Sequence, residues 1–156
     1  MTGTTDITIQ SYRKEYQPYF ERLNIAWLEA YFKVEPIDAY VLGNPEEAIL
    51  NEGGAILFAA IDQQIIGTVA LKYMEPGVYE LTKMAVDESF RGNGAGKILC
   101  AAAIDKGREL GAHKIILYSQ TGLKAAIGIY RQLGFTELPL EPGKYERADI
   151  KMQLLL

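Results

Sequence analysis

One short run, Arg91-Gly92-Asn93-Gly94-Ala95-Gly96-Lys97, constrains this chain more than any other. It follows Val78 to Val86, which has strand character, and opens a stretch of helical character from Gly94 to Leu110. Leu99, Ala103 and Leu110 share one face of that helix, and Gly111 supplies its stop. Glycine lets successive backbone N–H groups approach an anion without a Cβ in the way. The helix N-terminus adds partial positive charge, and Arg91 and Lys97 add full charges. The run therefore suits a phosphate or pyrophosphate, although a plain strand-to-helix turn uses glycine in the same way.

Two nucleotide-binding patterns fail on spacing. A P-loop needs four residues between its first Gly and the Gly-Lys pair, then Ser or Thr. Here three residues separate Gly92 from Gly96, and Ile98 follows Lys97. A dinucleotide fingerprint needs GxGxxG and an acid after the next strand begins. These glycines are spaced GxGxG, and Lys114 to Tyr118 carries no acid.

The rest of the chain alternates strand and helix patterns. Ile7 to Ile9 is expected as a short first strand. Phe20, Leu23, Trp27, Ala30, Tyr31 and Val34 recur at helical spacing until Pro36 interrupts. Asn44-Pro45-Glu46-Glu47 reads as an N-cap, a Pro at the first helical position and acids in the first turn of a short helix ending before Gly53-Gly54. Ala55 to Ile61 and Ile65 to Tyr73 flank a hairpin-length link, and Glu75-Pro76-Gly77 is a turn before the third strand. Lys114 to Tyr118 is a short buried strand, and Leu123 to Leu133 is a helix closed by Gly134. At the C-terminus Ala148, Ile150, Met152 and Leu154 alternate with Arg147, Asp149, Lys151 and Gln153. Together these predict a mixed α/β or α+β sheet with helices on both faces, in one domain over residues 1–156.

Composition removes several function classes. With 49% hydrophobic residues and 23% charged, the chain can build a core. A net charge of −4 argues against a nucleic-acid backbone as partner. Cys100 is the single cysteine, so no internal disulfide forms, and no His/Cys cluster suggests a metal. The polar start, Met1 to Gln10, lacks an apolar signal core, and no apolar run approaches the ~20 residues of a membrane span. A cytoplasmic protein with no membrane partner is the expectation.

Three ordered blocks carry a resemblance. Arg91, Gly94 and Gly96 match the Arg/Gln-x-x-Gly-x-Gly/Ala signature of the GNAT superfamily of acyl-CoA N-acyltransferases. Glu80-Leu81-Thr82-Lys83-Met84-Ala85-Val86 resembles the central strand that leads into that signature. Tyr130-Arg131-Gln132-Leu133-Gly134-Phe135, within Ala126 to Phe135, is similar to the family's Ala-x-x-x-Tyr-x-x-Leu-Gly-Phe segment. The blocks cover roughly residues 54 to 135. One departure stands out: the family often has Asn seven residues before the Tyr, where this chain has Leu123. Ser119 and Thr121 are the candidate replacements. The N-terminal part and Tyr145-Glu146-Arg147 resemble a bacterial subgroup of mostly uncharacterised members.

The resemblance implies a mixed, mostly antiparallel sheet and an enzyme using acetyl-CoA as co-substrate with no metal. It implies that the CoA diphosphate rests on amides of Arg91, Gly92, Asn93, Gly94, Ala95 and Gly96, with Lys97 beside them. The pantetheine arm would lie along Met84, Ala85 and Val86 as a pseudo-strand, and the Ala85 N–H is the donor expected to face the thioester oxygen. Tyr130 is the expected acid that protonates the leaving thiolate. Glu80, by its spacing to Ala85, matches the base of some members; the alternatives are a structural Glu or a water chain. Trp27, Tyr31 and Tyr145 are expected at the acceptor pocket, with core packing the competing role, and Arg147 could reach the same pocket. Cys100 reads as a buried inert thiol, and His113 as a surface or turn residue. The expected acceptor is the amine of a small molecule or amino acid. The alternatives are a protein or peptide amine, or a non-catalytic acyl-CoA-binding module. Family members often form homodimers.

Overall fold

The computed structural model describes residues 6–141, 143 and 145–156; the first five residues of the polar start lie outside them. Among the described residues seven strands form one sheet: β1 (Thr8–Ser11), β2 (Ala55–Ile61), β3 (Gln64–Glu75), β4 (Val78–Val86), β5 (Lys114–Ser119), β6 (Thr136–Leu138) and β7 (Ile150–Leu155). Their order is β1-β2-β3-β4-β5-β7-β6. Among the described residues only the β4–β5 pair is parallel. Four α-helices flank the sheet: α1 (Gln17–Tyr31), α2 (Pro36–Gly43), α3 (Ala95–Glu109) and α4 (Lys124–Gln132). Among the described residues, no helix is long and apolar enough to cross a membrane.

The continuous apolar run of β2 follows from burial on both faces. Leu57, Ala59 and Ile61 pack toward Leu99, Cys100 and Ala103 of α3. Ile56, Phe58 and Ala60 pack toward Phe20 of α1 and Leu42 of α2. A strand covered on one face alone would alternate apolar with polar residues. Phe20 and Phe58 are both fully buried, each stabilising by about 1.5–3 kcal/mol relative to exposure. The C-terminal alternation is realised in β7, where Ile150 and Met152 are buried.

Two elements differ from expectation. Pro36 does not merely end a helix; it starts α2, where its missing N–H costs nothing. The Glu35 N–H donates to Asp38 Oδ2 at 2.9 Å, half of a capping box. Asn44 is therefore the C-cap of α2, its side chain donating to the Tyr40 carbonyl at 3.0 Å. The expected helix after it is one wide turn at Glu46–Leu50, closed by Asn51 N–H to Glu46 O at 2.7 Å. The short strand β6 has too few residues to show a period.

The irregularity that matters most lies in β4. Thr68 faces Ala85 and Ala70 faces Thr82, so two residues of β4, Lys83 and Met84, oppose the single Val69 of β3. The spare residue belongs to a β-bulge in which Lys83 has φ +55°. On its other side β4 pairs with β5 only from Val78 to Glu80. Beyond Glu80 the strands part, leaving the Leu81–Val86 edge of β4 open.

Candidate active site

The parting strands form the base of a cleft of about 670 Å³. Leu81 to Val86 line one side and Tyr118 to Gln120 the other. α1 contributes Asn24, Trp27 and Tyr31, and α4 contributes Ile129 and Tyr130. The glycine loop closes one end and the C-terminal segment Tyr145–Ala148 approaches the other.

The loop is shaped by local rules. Asp87 caps a tight turn, its carboxylate accepting from the Ser89 N–H at 2.8 Å. Gly92 and Gly94 then take φ of +88° and +82°, a region that L-residues adopt at a cost of about 1–2 kcal/mol. α3 begins at Ala95, and its first helical bond runs from Ile98 N–H to Gly94 O at 3.1 Å. The amides of Ala95, Gly96 and Lys97 precede that bond and have no partner within the helix. They sit where the helix carries its partial positive charge. Gly92, Gly94, Ala95, Gly96, Arg91 and Lys97 all line the cleft, whereas Asn93 is exposed outside it. Arg91 reaches across the mouth to α1, donating to Tyr31 Oη at 3.0 Å.

Two features of this cleft fit acyl-CoA. An open strand edge can pair with the amides of a pantetheine arm, and a helix N-terminus flanked by Arg91, Lys97 and Lys124 suits its phosphates. Leu123, at the family's usual Asn position, lines the cleft with Ser119. Thr121 is turned to Asp149, donating through N–H and Oγ1 at 2.8 Å each.

Tyr130 is 7% exposed and packs edge-on against Phe135, ring centroids 5.8 Å apart. Burial, with Cys100 nearby, pushes its phenol above the ordinary tyrosine value, so it holds its proton at neutral pH. Glu80 is 1% exposed and does not itself line the cleft. Its Oε2 accepts from the Tyr145 hydroxyl at 3.1 Å, and Tyr145 does line it. Burial and the Glu80 charge push the Tyr145 phenol up as well. Trp27 and Tyr31 also line the cleft, their rings 5.5 Å apart.

A buried charge network behind the far end was not anticipated. Asp38 is fully buried and accepts from Lys83 Nζ at 2.5 Å and from both terminal nitrogens of Arg147 at 2.9 and 3.0 Å. Arg147 also donates to Glu35 Oε2 at 2.6 Å, and the Glu146 N–H to Glu35 Oε1 at 3.3 Å. Burial pulls the Lys83 ammonium down against the opposing pull of Asp38. The network ties the α1–α2 junction to the C-terminal segment and to the β4 bulge. Glu35-Pro36-x-Asp38 carried a readable capping signal, but nothing in the sequence joins it to Lys83 or Arg147. The cleft's charged lining residues are Lys83, Arg91, Lys97, Lys124 and Arg147; among the described residues no carboxylate lines it.

Comparison with known proteins agrees with this architecture. An acetyltransferase of the GNAT family from Staphylococcus aureus Mu50 superposes with a TM-score of 0.83 at 26% identity, covering 95% of this chain and 98% of that one. The yncA protein of Salmonella typhimurium, described with acetyl-CoA as its cofactor, superposes with a TM-score of 0.77 at 21% identity over 97% and 94% of the two chains. The mycothiol acetyltransferase of Corynebacterium glutamicum is 30% identical over 95 residues, 61% of this chain but only 32% of that protein. The uncharacterized N-acetyltransferase YjgM of Escherichia coli is 32% identical over 89 residues, 57% of this chain and 53% of that protein. The profile of the acetyltransferase (GNAT) family matches residues 7–135, and the chain belongs to that family.

Proposed function

We propose that this protein transfers an acetyl group from acetyl-CoA to the primary amine of a small molecule or amino acid, by direct attack in a ternary complex. The observation that carries this reading is the opened β4 edge running straight into the glycine loop: the two halves of a CoA-shaped site meet in one cleft. Acetyl-CoA supplies an acyl carbon activated as a thioester. The C–N bond forms as the amine nitrogen attacks that carbon, and the C–S bond breaks to release CoA thiolate.

The chain's own residues manage charge and protons. The Val86 N–H on the open edge is suited to the developing oxyanion; the Ala85 N–H, expected in that role, is turned toward Thr68 of β3, because the Asp87 N–H already donates to the Ile66 carbonyl at 2.7 Å and the pairing alternates from there. An aliphatic amine has a pKa of about 10.4 and arrives protonated, so a base is useful. Glu80 serves as that base through Tyr145, whose hydroxyl accepts the amine's proton as it donates its own to the carboxylate. Tyr130 protonates the thiolate; its high phenol pKa keeps the proton available. The bonds of Glu35 and Asp38 to Arg147, with Lys33 paired to Glu146 at 2.9 Å, tie the C-terminal segment to the α1–α2 junction at the acceptor end. That tie across the acceptor end suits a compact amine better than a protein segment.

The test is release of free CoA thiol from acetyl-CoA across an amine panel. Tyr130→Phe should lower kcat by about 10²-fold with CoA affinity unchanged. An unaltered kcat would remove the acid role, and absence of CoA binding by calorimetry would remove the whole reading.

A further inference from the structure

Five cations and no carboxylate line the cleft among the described residues, although the chain carries a net charge of −4. Arg91, Lys97 and Lys124 sit at the glycine-loop end, where phosphates account for them. Lys83 and Arg147 sit at the opposite end, where no phosphate accounts for them and the proton and charge steps of acetyl transfer do not use them. Resting on that reading, we infer that the acceptor is an amino-carboxylate, and that Lys83 and Arg147 form the subsite receiving its carboxylate.

Three observations support the assignment. First, both cations keep donors in hand. An ammonium has three N–H donors and Asp38 takes one from Lys83; a guanidinium has five and the network takes three from Arg147. Two remain on each. Second, the network is layered. Glu35 and Asp38 do not line the cleft, whereas Lys83 and Arg147 are among the residues that do. Both cations also lie against the Tyr145 ring, Lys83 at 5.4 Å and Arg147 at 4.7 Å from its centroid. Both cations thus share the ring whose hydroxyl meets Glu80, so an amine at that hydroxyl would carry its own carboxylate toward them.

Third, the arrangement is costly as scaffold alone. Lys83 occupies the left-handed region although it is not glycine, and its side chain is 4% exposed. Buried ion pairs are commonly replaceable by apolar residues without loss of stability. Strained backbone and buried charge gather where function maintains them. The four charges of the network balance, so its selectivity comes from the geometry of charge-assisted hydrogen bonds rather than from net field. Such bonds are roughly twice as strong as neutral ones.

A matched pair of probes tests this on the CoA-loaded protein. N-acetylglycine carries the carboxylate, and N-methylacetamide is the same molecule without it. Trp27 is the single tryptophan and lines the cleft, so its fluorescence reports occupancy. N-acetylglycine should bind about tenfold or more tightly than N-methylacetamide. Lys83→Gln should erase that preference while leaving CoA affinity unchanged. Equal binding of the two probes, or a preference that survives in a folded Lys83→Gln protein, overturns the subsite. If Lys83→Gln does not fold, the wild-type pair alone decides. Failure of CoA itself to bind overturns the acetyl-transfer reading instead, a result distinct from CoA binding without carboxylate preference.

Discussion

Replacing Asp38 by Asn isolates the charge that holds the far end of the cleft together. The substitution keeps the volume and one acceptor oxygen but removes the negative charge that meets Lys83 and Arg147. Breaking a buried ion pair by removing one partner costs about 3–5 kcal/mol, because the remaining charge is left uncompensated. Two features place this site at the lower end. Arg147 keeps Glu35 at 2.6 Å, and its side chain is 17% exposed. Lys83 has no such retreat, with its side chain 4% exposed. A loss of about 3 kcal/mol is thus expected, a large share of the ~5–15 kcal/mol that holds a domain folded. At about 2–4 °C per kcal/mol for a chain of this size, Tm should fall by about 6–12 °C. Urea unfolding followed by Trp27 fluorescence gives the free-energy difference directly. A variant within about 0.5 kcal/mol of the parent, the range of an ordinary surface change, would refute the reasoning.

The same residue predicts a pH dependence. Burial alone would raise the Asp38 carboxyl, but hydrogen bonds from Arg147, Lys83 and the Glu35 amide, with the Lys83 charge, bring it below the ordinary value. The unfolded chain then takes up that proton first as pH falls. Its stabilisation is complete above about pH 4 and is lost as pH falls through the lower folded value. The stability gap between the parent and Asp38→Asn should therefore narrow on acidification, as paired urea curves would show; a constant gap would contradict it. Gly94→Ala should destabilise by about 1–2 kcal/mol through its φ alone, since a Cβ there meets nothing within 4 Å; the check is chemical denaturation, and a neutral result would mean the loop relaxes. Cys100 is fully buried and its thiol is pushed up to about 12 by burial. It should react with a disulfide reagent only after unfolding, leaving no protein background in the thiol-release assay, and rapid native labelling would show otherwise.

Local rules account for much of what could be read in advance. Glycine at positions 92 and 94, the strand before them and the helix after them follow from backbone sterics and periodicity within a short window. That is why the cofactor end of the cleft was legible. The uninterrupted apolar run of β2 and the alternation of β7 likewise announced their burial on two faces and on one. The helix α2 was missed because Pro36 breaks a pattern and begins one with equal ease, and only the chain's path afterwards separates the two. The acceptor end was harder. Trp27, Tyr31 and Tyr145 could be named, but aromatic residues fill cores and line clefts alike.

What the tertiary structure alone decided is the meeting of Glu35, Asp38, Lys83 and Arg147. More than a hundred residues separate the first from the last, and no periodicity links them. Their contact depends on how α2 docks, where β4 bulges and how the final segment returns across the sheet. A charged residue in a strand normally signals a solvent face. Lys83 is buried because one inserted residue shifts the register of β4, and a register is a property of two paired strands that neither holds by itself.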